Sequence, residues 1–340
     1  MSEFKPSDLP DVCQLQELLW QGGAERNAAY MRWKYAENPY LDHRYVVLAR
    51  QAGALVGMIG AFGALWEVPG VGDIMLPCLA DTVIADSHRG TPLFRHMLQH
   101  LVQRLGDDDV PWLLDFGDQP AGPAMLMRGW TSVGPWAIGA FRRDRPGPGS
   151  WSCEARGKRS GLQLRCVDSP SPKALAQVIA RVTSGGPRAR HVRDATYLSW
   201  RLKNPLARYY LLTAQGDGLE GYLLGHRTLV DGIEGETPTT IMDCEAASDS
   251  VWLDLAEAAL TNLPGREIMI WARDMSATRR AVLADLGMMF RAPKGRLTAD
   301  MNLPNLIMCR TRAQAHDPVI EDLSKPDHWD LGCICGRSWR

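Results

Sequence analysis

The chain repeats itself. Residues 26–39, with Trp33 and the pair Asn38-Pro39, are echoed by residues 193–205, with Trp200 and Asn204-Pro205. Further on, Gly57 corresponds to Gly221, Asp81 to Asp243 and Gly129 to Gly287. The spacing between partners falls from 167 at Trp33/Trp200, through 164 and 162, to 158 at Gly129/Gly287. A steady drift with order preserved is what loop trimming leaves in a duplicated domain, whereas chance similarity scatters. The chain is therefore confined to two copies of one plan, and its 340 residues suffice for two domains of ordinary size.

Each copy alternates strands with helices, an α/β (α+β) pattern. Residues 4–8 read as a short first strand, followed by helices over 12–20 and 26–35. Residues 45–49 and 55–60 flank Ala52-Gly53 as a hairpin. Residues 78–84 read as a buried strand, and after it Leu93, Met97, Leu98, Leu101 and Leu105 share one helix face. Thr91 is placed to cap that helix and Pro92 to open it. Residues 111–116 give another buried strand, and 131–142 a last strand pair. The expected boundaries are a first domain at 1–145, a Pro/Gly-rich linker at 146–161, a second domain at 162–313 and a tail at 314–340.

A net charge of −1 and a pI near 6.7 argue against a nucleic-acid partner. The longest uncharged run, 52–66, is too short and too glycine-rich to cross a membrane. No apolar leader opens the chain, so the eight cysteines are expected as reduced thiols and the location as cytoplasmic. Cys333 and Cys335 lack a neighbouring histidine at zinc-site spacing, and no metal is expected.

The stretch from Val83 to Phe94, where a strand gives way to Arg89-Gly90 and a helix start, resembles the acyl-CoA loop of the GNAT superfamily of N-acyltransferases. With the duplicated Trp-x-x-x-x-Asn-Pro segment, the pattern resembles the tandem-GNAT architecture over residues 3–313. The resemblance implies two tandem GNAT-like domains, each a mixed, mostly antiparallel sheet flanked by helices. It implies direct acyl transfer from acetyl-CoA or another acyl-CoA to an amine or hydroxyl of a small molecule or sugar. It places the donor against Val83, Ala85, His88, Arg89, Gly90, Thr91 and Leu93. Two positions depart from the family: Pro92 removes a backbone donor, and Phe94 is bulky where a small residue is usual. The tyrosine that often protonates the leaving thiolate is Met125 here, and Leu283 in the second copy.

The second copy opens its matching helix with Ser248-Asp249, with neither arginine nor glycine. An aspartate there satisfies the helix dipole and repels a pyrophosphate, so one donor site is expected, in the first copy. Asp81 is the candidate general base, with a structural strand-end aspartate as the alternative. Trp33, Tyr35 and Asn38 are candidates for the acceptor side, faced by Glu245 or Asp243 from the second copy. Core packing is the alternative for a tryptophan that recurs in both copies. The competing functional class is a non-catalytic relative, or one drawing its acyl group from a carrier-protein thioester or an aminoacyl-tRNA.

Overall fold

The computed structural model describes residues 1–116, 125–145, 147, 151–169, 171–183, 186–229, 237–293, 303–311 and 323–336. The first half runs β1 (Ser2–Glu3), α1 (Leu9–Trp20), α2 (Gly23–Met31), β2 (Val46–Gln51), β3 (Ala54–Val68), β4 (Gly72–Ile84), α3 (Leu93–Asp107), β5 (Trp112–Asp115), β6 (Thr131–Pro135) and β7 (Ile138–Arg142). The second continues with β8 (Glu154–Arg156), β9 (Gln163–Val167), α4 (Pro172–Thr183), β10 (Ala189–His191), α5 (Ala195–Arg201), β11 (Ala207–Gln215), β12 (Leu219–Thr228) and β13 (Thr239–Ala246). It closes with α6 (Asp249–Asn262), β14 (Glu267–Trp271), α7 (Ala277–Asp285), β15 (Met289–Arg291), β16 (Asn305–Arg310) and β17 (Trp329–Asp330).

The strands form two mixed, mostly antiparallel sheets that trade a strand. The first has the order β1-β2-β3-β4-β5-β16-β6, with β10 and β17 joined through β3. The second has the order β15-β7-β14-β13-β12-β11-β9-β8. Thus β7, from the first half, lies between β14 and β15. Reciprocally β16, from the end of the second, lies between β5 and β6. The last strand pair expected over 131–142 is therefore split between sheets. Buried Trp136 marks the crossing, edge-on to Trp271 at 5.0 Å. Each exchanged strand covers the edge that β5 or β14 would otherwise expose.

The long uncharged run becomes β3, almost wholly buried because α1 and α3 both pack on it. The repeat is visible in local geometry. Asn38 Oδ1 accepts from Tyr40 N at 2.9 Å and Asn204 Oδ1 from Leu206 N at 3.0 Å, the same side-chain turn. Gly129 and Gly287 both take left-handed φ values, 86° and 96°, after a helical turn. The halves meet on an approximate twofold at Trp33 and Trp200, stacked at 4.8 Å and 7°. Each indole N–H donates to the other residue's carbonyl, both at 2.7 Å.

Both sheets open at equivalent places. Among the described residues, the parallel pair β4 and β5 is joined at Cys78↔Leu114, while β4 runs on to Ile84. The parallel pair β13 and β14 is joined only as far as Ile241↔Ile270, while β13 runs on to Ala246. Each opening lies beside the N-terminus of the following helix.

Candidate active site

In the first half, β4 ends at Ile84, just after buried Val83, and Ala85 N–H is tied back to Val56 O at 2.9 Å. A 3₁₀ turn over Asp86–His88 follows. The His88 ring is held by Ser87 Oγ at 2.9 Å and by Gln51. Arg89 has its side chain 62% exposed and pairs with Asp86 at 3.0 Å. A pair this exposed contributes little, so the guanidinium is free to turn to an incoming anion. Gly90 has φ +77°, and a Cβ there would meet nothing within 4 Å. That left-handed turn aims the chain into α3 while leaving room for close approach to the backbone.

Helix α3 begins at Leu93, one residue later than the capping pattern implies, with Pro92 at the cap position. Thr91 Oγ donates to His88 O at 2.7 Å and accepts weakly from Leu93 N at 3.4 Å. The first-turn N–H groups of a helix have no intrahelical acceptor. With the dipole and Arg89 they give this turn a local attraction for an anion. The expected donor contacts Ala85, His88, Arg89, Gly90, Thr91 and Leu93 thus form one continuous loop, with Val83 buried beneath it.

The counterpart in the second half is filled by its own side chains. Ser248 Oγ accepts from Val251 N at 3.3 Å, and Asp249 is held by Arg279 at 2.7 Å. The Arg279 guanidinium also lies 4.5 Å from the Trp252 ring centre. The Ser248 cap takes one N–H of this turn, and the Asp249 carboxylate at the helix start opposes an incoming phosphate.

Asp81 is 7% exposed and adopts φ +50° at a bulge where the register between β3 and β4 shifts. Its carboxylate accepts from Tyr35 Oη at 2.6 Å and Tyr30 Oη at 3.2 Å, and pairs with Lys34 Nζ at 3.0 Å. Lys34 is packed among the Tyr30, Tyr35 and Phe62 rings, and burial pushes its ammonium below its ordinary value despite the carboxylate beside it. Burial, with the Asp81 charge, pushes the Tyr35 hydroxyl well up. Tyr35 and Lys34 reach this position through a π-helical turn, Arg32–Ala36, that extends α2. In the second half, Asp243 accepts from Tyr222 Oη at 2.6 Å and pairs with Arg193 at 2.5 Å. Arg193 also binds Glu245 at 2.6 Å. Burial raises the Glu245 carboxyl, and Arg193 opposes it.

The residues expected on the acceptor side are not brought into one cleft. Trp33 is 2% exposed, on the interdomain stack, and Tyr35 is 1% exposed, on Asp81. Asn38 uses both ends of its amide on backbone, donating to Gly63 O at 3.1 Å and accepting from Tyr40 and Leu41. Glu245 faces a cavity of the second half. The space between the halves where a shared cleft was expected is occupied by the stacked indoles. Met125 and Leu283 are both buried and carry no titratable proton. Residues 117–124, beside Met125, lie outside the described residues. Tyr30 and Lys34 were not singled out from the sequence. A lysine four residues after a tyrosine, inside an otherwise apolar helix face, is the signal that marks them.

All eight cysteines are free thiols, and the described residues contain no group of three or more potential metal ligands. Among them, no helix is long and apolar enough to cross a membrane.

Residues 1–120 match the model of the acetyltransferase (GNAT) domain. No curated protein matches the chain. A GCN5-related N-acetyltransferase from Anabaena variabilis superposes with a TM-score of 0.60 at 14% identity, covering 92% of this chain and 72% of its own. A probable N-acyltransferase from Enterococcus faecalis gives 0.63 at 11% identity, with the same coverages of 92% and 72%. A tandem GNAT protein of the clavulanic acid biosynthesis pathway gives 0.56 at 12% identity, covering 93% of this chain and 98% of its own.

Proposed function

We propose that this chain, whose first 120 residues match the acetyltransferase (GNAT) domain and whose fold is that of a tandem GNAT protein, moves an acyl group from one acyl-CoA, held by the first half, to an amine or hydroxyl of a small molecule. The observation that carries this reading is the turn at Arg89-Gly90: an exposed arginine and a left-handed glycine with open space beside it, at the start of a 15-residue helix. Arg89, Gly90, Thr91 and the first turn of α3 would hold the pyrophosphate, and Val83 and Ala85 would run beside the pantetheine arm. When bound, the donor supplies an activated thioester.

Asp81 has both carboxylate oxygens engaged by three donors, which supports a structural role. The proton of the attacking group then falls to water in the opening between β4 and β5. With Met125 in the usual tyrosine position, the leaving thiolate takes its proton from solvent as well. A second reading, donation by a carrier-protein thioester, is favoured by Pro92, which deletes one N–H, and by the Thr91 hydroxyl, which occupies another. Calorimetry with acetyl-CoA and longer acyl-CoAs separates the two. One site per chain is expected, weakened about tenfold or more by Arg89→Glu through loss of a charge-assisted contact. Absence of binding, or binding indifferent to Arg89→Glu, removes this proposal.

A further inference from the structure

Three of the cysteines lie on strands opposite other residue types: Cys78 faces Phe62, Cys244 faces Leu223 and Cys309 faces Leu113. Cys13 is on α1, and Cys333 and Cys335 share one 3₁₀ turn. The remaining two face each other. The ladder between β8 and β9 pairs Glu154 with Arg165, Ala155 with Leu164 and Arg156 with Gln163. One step further along it, Cys166 N–H donates to Cys153 O at 3.0 Å. The two cysteines therefore oppose one another, and their side chains leave the same face of the sheet. That face packs on the core of the second half together with Trp151 and Leu162, and both thiols are half-buried.

Residues opposed in such a hydrogen-bonded pair have Cα atoms about 5.5 Å apart, inside the roughly 4.4–6.8 Å that a disulfide spans. Their Cβ atoms, about 5 Å apart, must close by about 1 Å. The fold permits that movement, because β8 is a three-residue, exposed strand at the edge of its sheet. A bond closed at some cost in strain is also readily reduced. The two thiols interact. Burial raises both, but the Cys166 thiol lowers Cys153, whereas burial and the neighbouring Cys153 push Cys166 up to about 12. Cys153 is thus the sulfur that ionises first.

We propose that Cys153 and Cys166 are a peroxide-responsive pair that closes to a reversible disulfide and fastens β8 to β9. The Cys153 thiolate attacks one oxygen of hydrogen peroxide and the O–O bond breaks. The other oxygen leaves as water with the proton the thiol gave up, and Cys153 becomes a sulfenic acid. The Cys166 sulfur then attacks the Cys153 sulfur, the S–O bond breaks, and hydroxide leaves with the Cys166 proton as a second water. Two electrons pass from the thiols to the peroxide. The new bond ties down the segment that returns from the exchanged strand β7, and it is independent of acyl transfer by the first half.

The test treats the full chain with hydrogen peroxide, alkylates the remaining thiols and maps tryptic peptides without reduction. The peptide ending at Arg156 should appear joined to the one beginning at Cys166, within a monomeric chain. Both cysteines should be lost from the alkylated pool and recovered after dithiothreitol. Amide exchange across residues 154–156 should slow by about tenfold or more on oxidation. In Cys166→Ser, dimedone should label Cys153 as a sulfenic acid; in Cys153→Ser, Cys166 should stay a thiol. Oxidation of Met127, 82% exposed, reports that the oxidant has acted. Undiminished alkylation of both cysteines once Met127 is oxidised overturns the proposal, as does a link from either to a different cysteine or a link found only between chains.

Discussion

In the first half, β4 runs into a turn where Gly90 is left-handed and Arg89 points into solvent; in the second, β13 runs into Ser248, which caps one N–H of the helix, and Asp249, which is paired with Arg279. The frames around the two turns agree down to the Asn38/Asn204 side-chain turn and the Gly129/Gly287 caps. A helix start serves as an anion site only if its own chain leaves it unsatisfied. The scaffold is thus alike in the two copies, and the difference at these turns lies in a few side chains. The central carboxylates differ in the same manner. Asp81 is neutralised by Lys34 from the turn after α2, and Asp243 by Arg193 ahead of α5.

The strand exchange limits how far the copies can be treated as separate, and breaking it gives the largest expected effect. A fragment ending at residue 145 keeps β7 without its sheet and lacks β16. It should be unfolded or aggregated by circular dichroism, and coexpression with residues 146–340 should rescue it as a one-to-one complex. A cooperative melt of the fragment alone would show that the halves are independent.

Next comes the pseudo-twofold contact. Trp33→Ala and Trp200→Ala each remove a buried indole and orphan the partner's carbonyl, and should each cost about 3–5 kcal/mol in denaturant unfolding. If the two copies contribute alike, the double variant costs less than the sum, because both changes break one stack. Additive losses would mean the stack is not a shared contact.

Asp81→Asn should lower stability by about 3 kcal/mol, since it leaves Lys34 buried beside no countercharge. Specific activity of the folded fraction should stay within a few-fold of wild type. Full stability with a loss of 10²-fold or more in turnover would restore Asp81 as the base.

The smallest effect distinguishes the halves by acid. His191 and His226 are buried in the second half, and burial lowers His226 to about 3 and His191 well below its ordinary value. The first half's His43, His88, His96 and His100 are not buried. A histidine that protonates only when unfolded gives stability that is full above the unfolded pKa and lost as pH falls toward the folded one. Between pH 6.5 and 5 each buried histidine should therefore cost about 2 kcal/mol. Amide exchange of β10 and β12 should quicken over that range before β2 and β3 do. The reverse order would contradict the placement.

The duplication was legible because it survives as residue identities at drifting offsets, and the apolar face of α3 because burial imposes helical spacing. The destination of β7 was not. Alternation along 131–142 marks strands but carries no address for a partner, and the bend at Trp136 that separates β6 from β7 depends on Trp271, distant in sequence. Asp81 was found as a repeated carboxylate, yet its neutral or ionic neighbours arrive through a π-helical turn that spacing rules for α-helices do not anticipate. Trp33 and Tyr35 belong to the core for the same reason: the turn rotates one toward the twofold and the other toward Asp81.

The central claim is that one copy alone presents a donor loop. Hydrogen–deuterium exchange of the whole chain with and without CoA reads both turns at once. Protection confined to residues 85–98, with 246–256 unchanged, is the predicted result. Protection at 246–256, or none at 85–98 under saturating CoA, would contradict the account.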